Sequence, residues 1–415
     1  MTVLGPGTWA DLLAPEAVAD PYPLLAELRE HDPVHWSERY RSWFVTRYAD
    51  VDAALRDPRF SSDRISPYRR ARLDGPDADP GVRAAFGVLE DWMVFKDPPD
   101  HTRLRKLLSR AFTPRAVERV RLRIGELAAE LLDDLSGPAD LIGDYAYPLT
   151  ASVVAELLGV PRADRGRFKE WSDRITGLVF GGMGDPDRHA DGAAGMAELT
   201  RYLGELVARH EREPADDLIT ALVRARDSGD ALTHQEVVST GVLLLFAGHE
   251  TTTNLIGNGL LALLRHPGEP ADGPGTVEEA LRYDGPAKTI ARIMAADVEL
   301  GGRVLRRGDR VFLCPSAANR DPAVFADPDR FDVTRRPGRQ LGFGLGLHYC
   351  LGAPLARLEA SVAIPAVLRR FPGLRLADEP LRWHPVLLSR GLVRLPVHLD
   401  QCPTSACSSR RRPPG

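Results

Sequence analysis

The chain has 415 residues, 43% of them hydrophobic, and its 54 Lys and Arg against 58 Asp and Glu leave a net charge of −4. That balance argues against a general nucleic-acid binder, and cysteines at 314, 350, 402 and 407 are too few and too scattered for a disulfide framework or a paired-cysteine zinc site. The first ten residues carry no basic-then-apolar leader and no run of about 18 apolar residues occurs, so a cytoplasmic protein without membrane contact is expected.

Length alone suggests two or three domains, yet no linker rich in Pro, Gly or Ser separates parts with their own cores, and one large domain over residues 1–400 fits better. Trp43-Phe44-Val45-Thr46 reads as a short strand. From Phe60 to Trp92 the chain is polar, interrupted by Gly and Pro and weakly periodic, which predicts a long irregular segment of the kind found in lids and binding loops. A helical pattern spans Thr102 to Glu130, and between His101 and Arg123 eight Lys or Arg face one Glu, ordinarily a solvated basic face.

Thr233-His234-Gln235-Glu236 is a capping box, and the helix it starts is predicted to run to His266-Pro267, about 33 residues or roughly 50 Å. Its centre, Ala247-Gly248-His249-Glu250-Thr251-Thr252-Thr253, conflicts with helix propensity, because Gly costs about 1 kcal/mol against Ala and threonine hydroxyls compete for backbone carbonyls. Such a conflict marks a bend or a functional site. Glu279 and Arg282 stand one helical turn apart and, taken alone, read as an exposed ion pair. Asp297 to Val304 alternates around Gly301-Gly302 as a hairpin, with Val311-Phe312-Leu313 continuing it as a small sheet.

Phe343-Gly344-Leu345-Gly346-Leu347-His348-Tyr349-Cys350-Leu351-Gly352 sets one cysteine in a glycine-rich loop ahead of another helical pattern. An isolated cysteine is ordinarily a small buried hydrophobe. Here Gly344 and Gly346 free the backbone to pass close under a flat macrocycle, and Gly352 lets the next helix lie against it, which is how a thiolate is offered to a haem iron. The tail 401–415 lacks periodicity and is expected to be disordered.

Residues 343–352 resemble the haem-binding signature of the cytochrome P-450 superfamily, with Phe, Gly, Gly, a basic residue, Cys and Gly at its spacings, and the resemblance extends over residues 10–400. It implies a mainly α-helical single domain with a small β-sheet lobe, holding haem b (iron protoporphyrin IX) between the long central helix and the cysteine loop and helix. Cys350 would be the axial iron ligand, its thiolate pushing electron density to favour O–O cleavage. Phe343, Gly344 and Gly352 would cradle the cofactor, and His101, Arg105, Arg292 and His348 would bind its propionates. Ala247 and Gly248 would leave a groove for oxygen and substrate. Glu250 and Thr251 match the family's acid–alcohol pair, a carboxylate relaying protons to a water held by a hydroxyl.

The resemblance places the substrate pocket at the 60–95 loop, Leu243, Leu244, Ala247, Thr289, Ile290, Leu388 and Ser389, and makes Glu279, Arg282 and Arg330 a buried structural cluster. The implied activity is dioxygen-dependent hydroxylation or epoxidation of a lipophilic small molecule in bacterial secondary metabolism. Ferredoxin and ferredoxin reductase would supply electrons, with the basic run after His101 as a docking face. Oxidative coupling or cyclisation of a carrier-tethered peptide or polyketide would use the same machinery; a non-catalytic haem-thiolate sensor would need Cys350 but not Glu250 and Thr251. Only nine residues separate His266-Pro267 from Val277, where relatives carry a longer segment, so a helix there is expected to be missing or a stub.

Overall fold

The computed structural model describes residues 11–112, 114–180, 188–226, 232–270, 273–336 and 338–399, and over these the chain is mainly helical with three small sheets. The expected tail, with Cys402 and Cys407, lies outside the described residues. The organising element is the long helix His234–Arg265. Its capping box forms as expected: Thr233 Oγ1 accepts from Glu236 N at 3.1 Å, and Glu236 Oε2 accepts from Thr233 N at 2.8 Å. The helix is buried nearly all round because it joins two apolar cores, one taking it up to Phe246 and the other from Leu255 onward.

The polar stretch 247–254 falls between those cores. The helix passes through it unbroken, and its side chains turn back onto carbonyls one turn earlier: Thr251 Oγ1 donates to Ala247 O at 3.1 Å and Thr252 Oγ1 to Gly248 O at 3.2 Å. Gly248 is needed for close approach, since a Cβ there would sit 2.6 Å from Val154 Cγ2 on the helix Tyr147–Leu157.

Strands gather into a five-stranded sheet ordered Val34–Ser37, Ser42–Val45, Arg310–Leu313, Ile290–Met294, Phe60–Ser61. The hairpin Val298–Leu300/Arg303–Leu305 forms around Gly301 and Gly302, both at positive φ. Val311–Leu313 does not continue it. That strand pairs in parallel with 42–45 and antiparallel with 290–294, because Val311, Leu313 and Val45 are all fully buried and need cover from the larger sheet.

Three other expectations are corrected. The segment 60–92 is not irregular: it holds helices Ile65–Arg72 and Pro80–Asp91, the second opened by Asp79 accepting from Val82 N at 2.9 Å and buried through Val82, Ala85, Phe86 and Leu89. The basic helical run is three helices, Asp100–Ala111, Pro114–Arg119 and Arg121–Asp133, with a proline, which lacks an N–H for the preceding turn, opening the second. Much of its charge is paired: Arg103 with Glu236, Arg119 with Asp216, Arg121 with Glu118, and Arg123 with Glu126, Glu130 and Glu156.

The third correction concerns the buried cluster. Glu279 holds Arg282 through two bonds of 2.7 and 2.8 Å, both residues being fully buried. Arg330 is exposed and contributes only its carbonyl, 2.9 Å from Arg282 Nη2. The second guanidinium at Glu279 is that of Arg335, its Nε 3.5 Å from Oε2, because the chain after Phe331 turns back toward the helix Pro274–Asp284. Among the described residues between Arg265 and Pro274 there is no helix, as the short spacing implied.

Candidate functional site

The cysteine loop is closed by its own backbone, Cys350 N donating to Phe343 O at 2.9 Å. Gly344 and Gly346 take φ of 68° and 70°, and a Cβ at 346 would also sit 2.9 Å from Leu55 O, so both positions require glycine. Arg357, one turn into the helix Ala353–Arg370, stacks on the Phe343 ring at 4.6 Å, bonds the Tyr349 hydroxyl at 3.0 Å and is anchored by Glu278 at 3.2 Å. The loop is therefore held from the helix side. Burial pushes the Cys350 thiol up, while the N–H groups of Gly352 and Ala353 and the charges of Arg105 and Arg357 act in the opposite sense.

A cavity of about 410 Å³ opens over this loop. Its lining includes the expected Leu243, Leu244, Ala247, Gly248, Thr251, Thr289, Ile290, Leu388 and Ser389, together with Phe343, Gly344, His348, Cys350 and Gly352. A Cβ on Gly352 would meet nothing within 4 Å, so that side of the loop faces space no protein atom fills. The expected 60–95 segment contributes Ser62 and Arg64; sequence reading missed Leu108, Phe112, Val154, Val179 and Leu218, which also line it. The apolar run Trp92-Met93-Val94-Phe95 was a signal for the wall at the end of the 60–95 segment; nothing local marked the others.

At one end of the cavity stand four donors in search of acceptors. Both ring nitrogens of His101 are buried without a partner, and its ring lies 4.1 Å from that of His348. Burial and neighbouring positive charge push His348 down to about 3 and His101 below the usual histidine range, so both are neutral donors at neutral pH. Arg105 and Arg292 also line the cavity, each spending one bond on a carbonyl: Tyr349 O at 2.6 Å and Ala291 O at 2.9 Å. Burial lowers Arg292 to about 10, which leaves it charged. Two guanidiniums and two imidazoles with no carboxylate in the cavity lining match two carboxylates, and a thiol beyond them under an unfilled face matches the fifth ligand of a haem. The residues fit that group.

Across the cavity the long helix presents Thr251. Its hydroxyl donates to Ala247 O, which leaves the oxygen lone pairs free to accept from a water. Glu250 is half-buried outside the cavity lining; burial raises its carboxyl to about 7, with Asp173 raising it further and Lys169 opposing. Those two form an ion pair of 2.8 Å on the helix Arg167–Phe180, a neighbour that no local pattern tied to Glu250. His249 is neutral, pushed by burial to about 4, and its ring stands edge-on to Tyr147 at 5.5 Å.

A family model described as Cytochrome P450 matches residues 186–269 and 274–387. The chain is 41% identical over 416 residues to the 6-deoxyerythronolide B hydroxylase of Saccharopolyspora erythraea, covering 95% of this chain and 99% of that protein. Among solved structures, CalO2 matches with a TM-score of 0.87 at 38% identity, over 95% of this chain and 99% of that one. P450BioI, solved in complex with a hexadec-9Z-enoic acid ligated acyl carrier protein, matches with a TM-score of 0.84 at 37% identity, over 93% and 99%.

Proposed function

Because the chain belongs to the cytochrome P450 family and is a monooxygenase, we propose that it uses dioxygen to hydroxylate or epoxidise a lipophilic secondary metabolite in a bacterial cytoplasm, with haem b as cofactor and a ferredoxin and its reductase as electron donors. The observation that carries this reading is a mostly apolar cavity lined by both Cys350 and Thr251. Among the described residues, no helix is long and apolar enough to cross a membrane.

When bound in this cavity, the haem supplies dioxygen activation. Cys350 gives the sulfur ligand, and the loop geometry and the Gly352 and Ala353 N–H groups set its electron donation. His101, Arg105, Arg292 and His348 hold the propionates. Thr251 keeps a water at its Oγ1, and Glu250 moves protons to that water from the side of Asp173 and Lys169. The apolar lining orients the substrate by shape and keeps bulk water away from the reacting atoms.

Turnover with a ferredoxin and reductase, read by product mass, tests the reaction. A product heavier by one oxygen atom is expected; loss of hydrogens would mean coupling or cyclisation, and no turnover with an intact thiolate spectrum would mean a sensor. Thr251→Ala is expected to keep ligand binding and to divert electrons to peroxide, measured as product formed per electron consumed.

Glu250→Gln is expected to lower coupled turnover by about 10²-fold, the usual weight of a positioned acid. Proton delivery needs the protonated carboxyl, and this carboxyl titrates at about 7, so the rate should fall as pH rises through 7. Asp173→Asn removes the anion that raises Glu250 and should move that limb to lower pH; Lys169→Gln should move it higher. A pH profile unmoved in both variants would remove Glu250 from the relay.

A further inference from the structure

Arg64 enters the cavity wall just ahead of the helix Ile65–Arg72, with its guanidinium carbon 4.6 Å from the centre of the Phe95 ring. The charged and titratable side chains among the described cavity residues are Arg64, Arg105, Arg292, His101, His348, Tyr349 and Cys350; no Asp or Glu is among them. In the haem-loaded reading, ferric iron, the porphyrin dianion and the thiolate sum to zero, and two propionates balance Arg105 and Arg292. Within the lining, one cation is left over.

That cation has no acidic partner among the described residues. The Arg64 guanidinium makes no ion pair or hydrogen bond with any described residue; Arg292 and Arg310 repel it, and no acid acts on it. Asp97, which does not line the cavity, acts on Arg292 and His101 and not on Arg64, and its oxygens are engaged by the Ser61 hydroxyl and by Ser62 N at 2.9 Å. A desolvated arginine cannot escape by giving up its proton at neutral pH. A guanidinium lying over an aromatic ring can still offer its forked N–H groups to a planar two-oxygen acceptor.

We propose that Arg64 is the residue that selects the substrate, and that the group it takes is a carboxylate, so that the metabolite oxidised here is a lipophilic acid. This rests on the haem-and-substrate reading of the cavity. The acid head sits at Arg64, and Met93, Val94, Phe95, Leu243 and Leu244 offer apolar wall for the rest of the molecule. A thioester on a carrier has no free carboxylate, so the substrate is free in solution.

The test is a Soret titration of the haem-loaded protein with decanoic, tetradecanoic and hexadecanoic acids and an opened macrolactone acid, each beside its methyl ester, at a pH where the acids are ionised. The carbon monoxide spectrum, read first, reports the thiolate; its absence is failure of the haem reading and overturns the proposal with it. Where the thiolate is intact, at least one acid is expected to bind about 30-fold tighter than its ester, the affinity worth of a charge-assisted bond in a dry site. Arg64→Gln should bring the acid to the ester's affinity, with the ester itself changing less than about threefold, and Arg64→Lys, which keeps the charge but loses the fork, should fall between. Equal binding of acid and ester, no shift with any acid, or a preference that survives Arg64→Gln overturns the assignment. So does faster loss of haem to an apoglobin from Arg64→Gln with the acid-to-ester ratio unchanged, which would make Arg64 a propionate ligand.

Discussion

Replacing Cys350 with serine is expected to abolish monooxygenation and to remove the thiolate band from the carbon monoxide spectrum, while the chain still folds. The two side chains differ by one atom, and the loop is held by groups the substitution does not touch: the Cys350 N to Phe343 O bond, the positive φ of Gly344 and Gly346, and Arg357 over Phe343. What is lost is the ligand. A metal-bound thiol is deprotonated outright, whereas a serine hydroxyl has no comparable tendency at neutral pH. Loss of an outer partner at a metal site typically costs about 10–100-fold, and loss of the ligand itself should exceed that range. Cys314→Ser is the matched control. Cys314 is fully buried in a separate cluster, where burial pushes its thiol up to about 12, and its replacement should leave turnover and spectrum unchanged. Equal loss in both variants would show that the effect is one of folding.

How much of this was legible follows from the range of each signal. The cysteine loop and the capping box at Thr233 are written in consecutive residues, because the physics that sets them, positive φ and paired N-terminal bonds, is local. The helices at 65–72 and 80–91 had a local signal too. Asp79-Pro80 followed by apolar residues at 82, 85, 86 and 89 is a helix start with a buried face, hidden by Gly81 and Gly87 within the same run. Other features had none. Arg335 rather than Arg330 reaches Glu279 because of a turn more than 50 residues along the chain from that helix, and Asp173 meets Glu250 only through the packing of two helices. Val311–Leu313 looked like an extension of the nearest hairpin, since its true partner, 42–45, lies far back in the chain. Composition within a window cannot choose among partners that only tertiary structure brings near.

The buried pair beneath the loop carries the second large effect. Glu279→Gln is expected to destabilise the haem-loaded protein by about 3–5 kcal/mol, the cost of leaving one member of a buried ion pair uncompensated, read by urea unfolding. Arg282 is the group left stranded. Its donors reach Glu279 and the carbonyls of Asn319, Pro328 and Arg330 at 2.7–3.0 Å, so this one side chain ties the helix 274–284 to the segment that leads into the cysteine loop. Asn319 carries the tie onward, its Oδ1 accepting from Leu341 N at 2.7 Å, two residues ahead of Phe343. Haem retention should therefore fall together with stability, although neither Glu279 nor Arg282 lines the cavity. Replacing both by methionine removes the stranded charge and should recover part of the stability, as apolar pairs of similar volume do elsewhere. It should not recover haem retention, because the carbonyls of 319, 328 and 330 would still lack their donor. If the double replacement restored both, the cluster would be a packing element only, and the path through Asn319 to the loop would have no part in holding the thiolate in place.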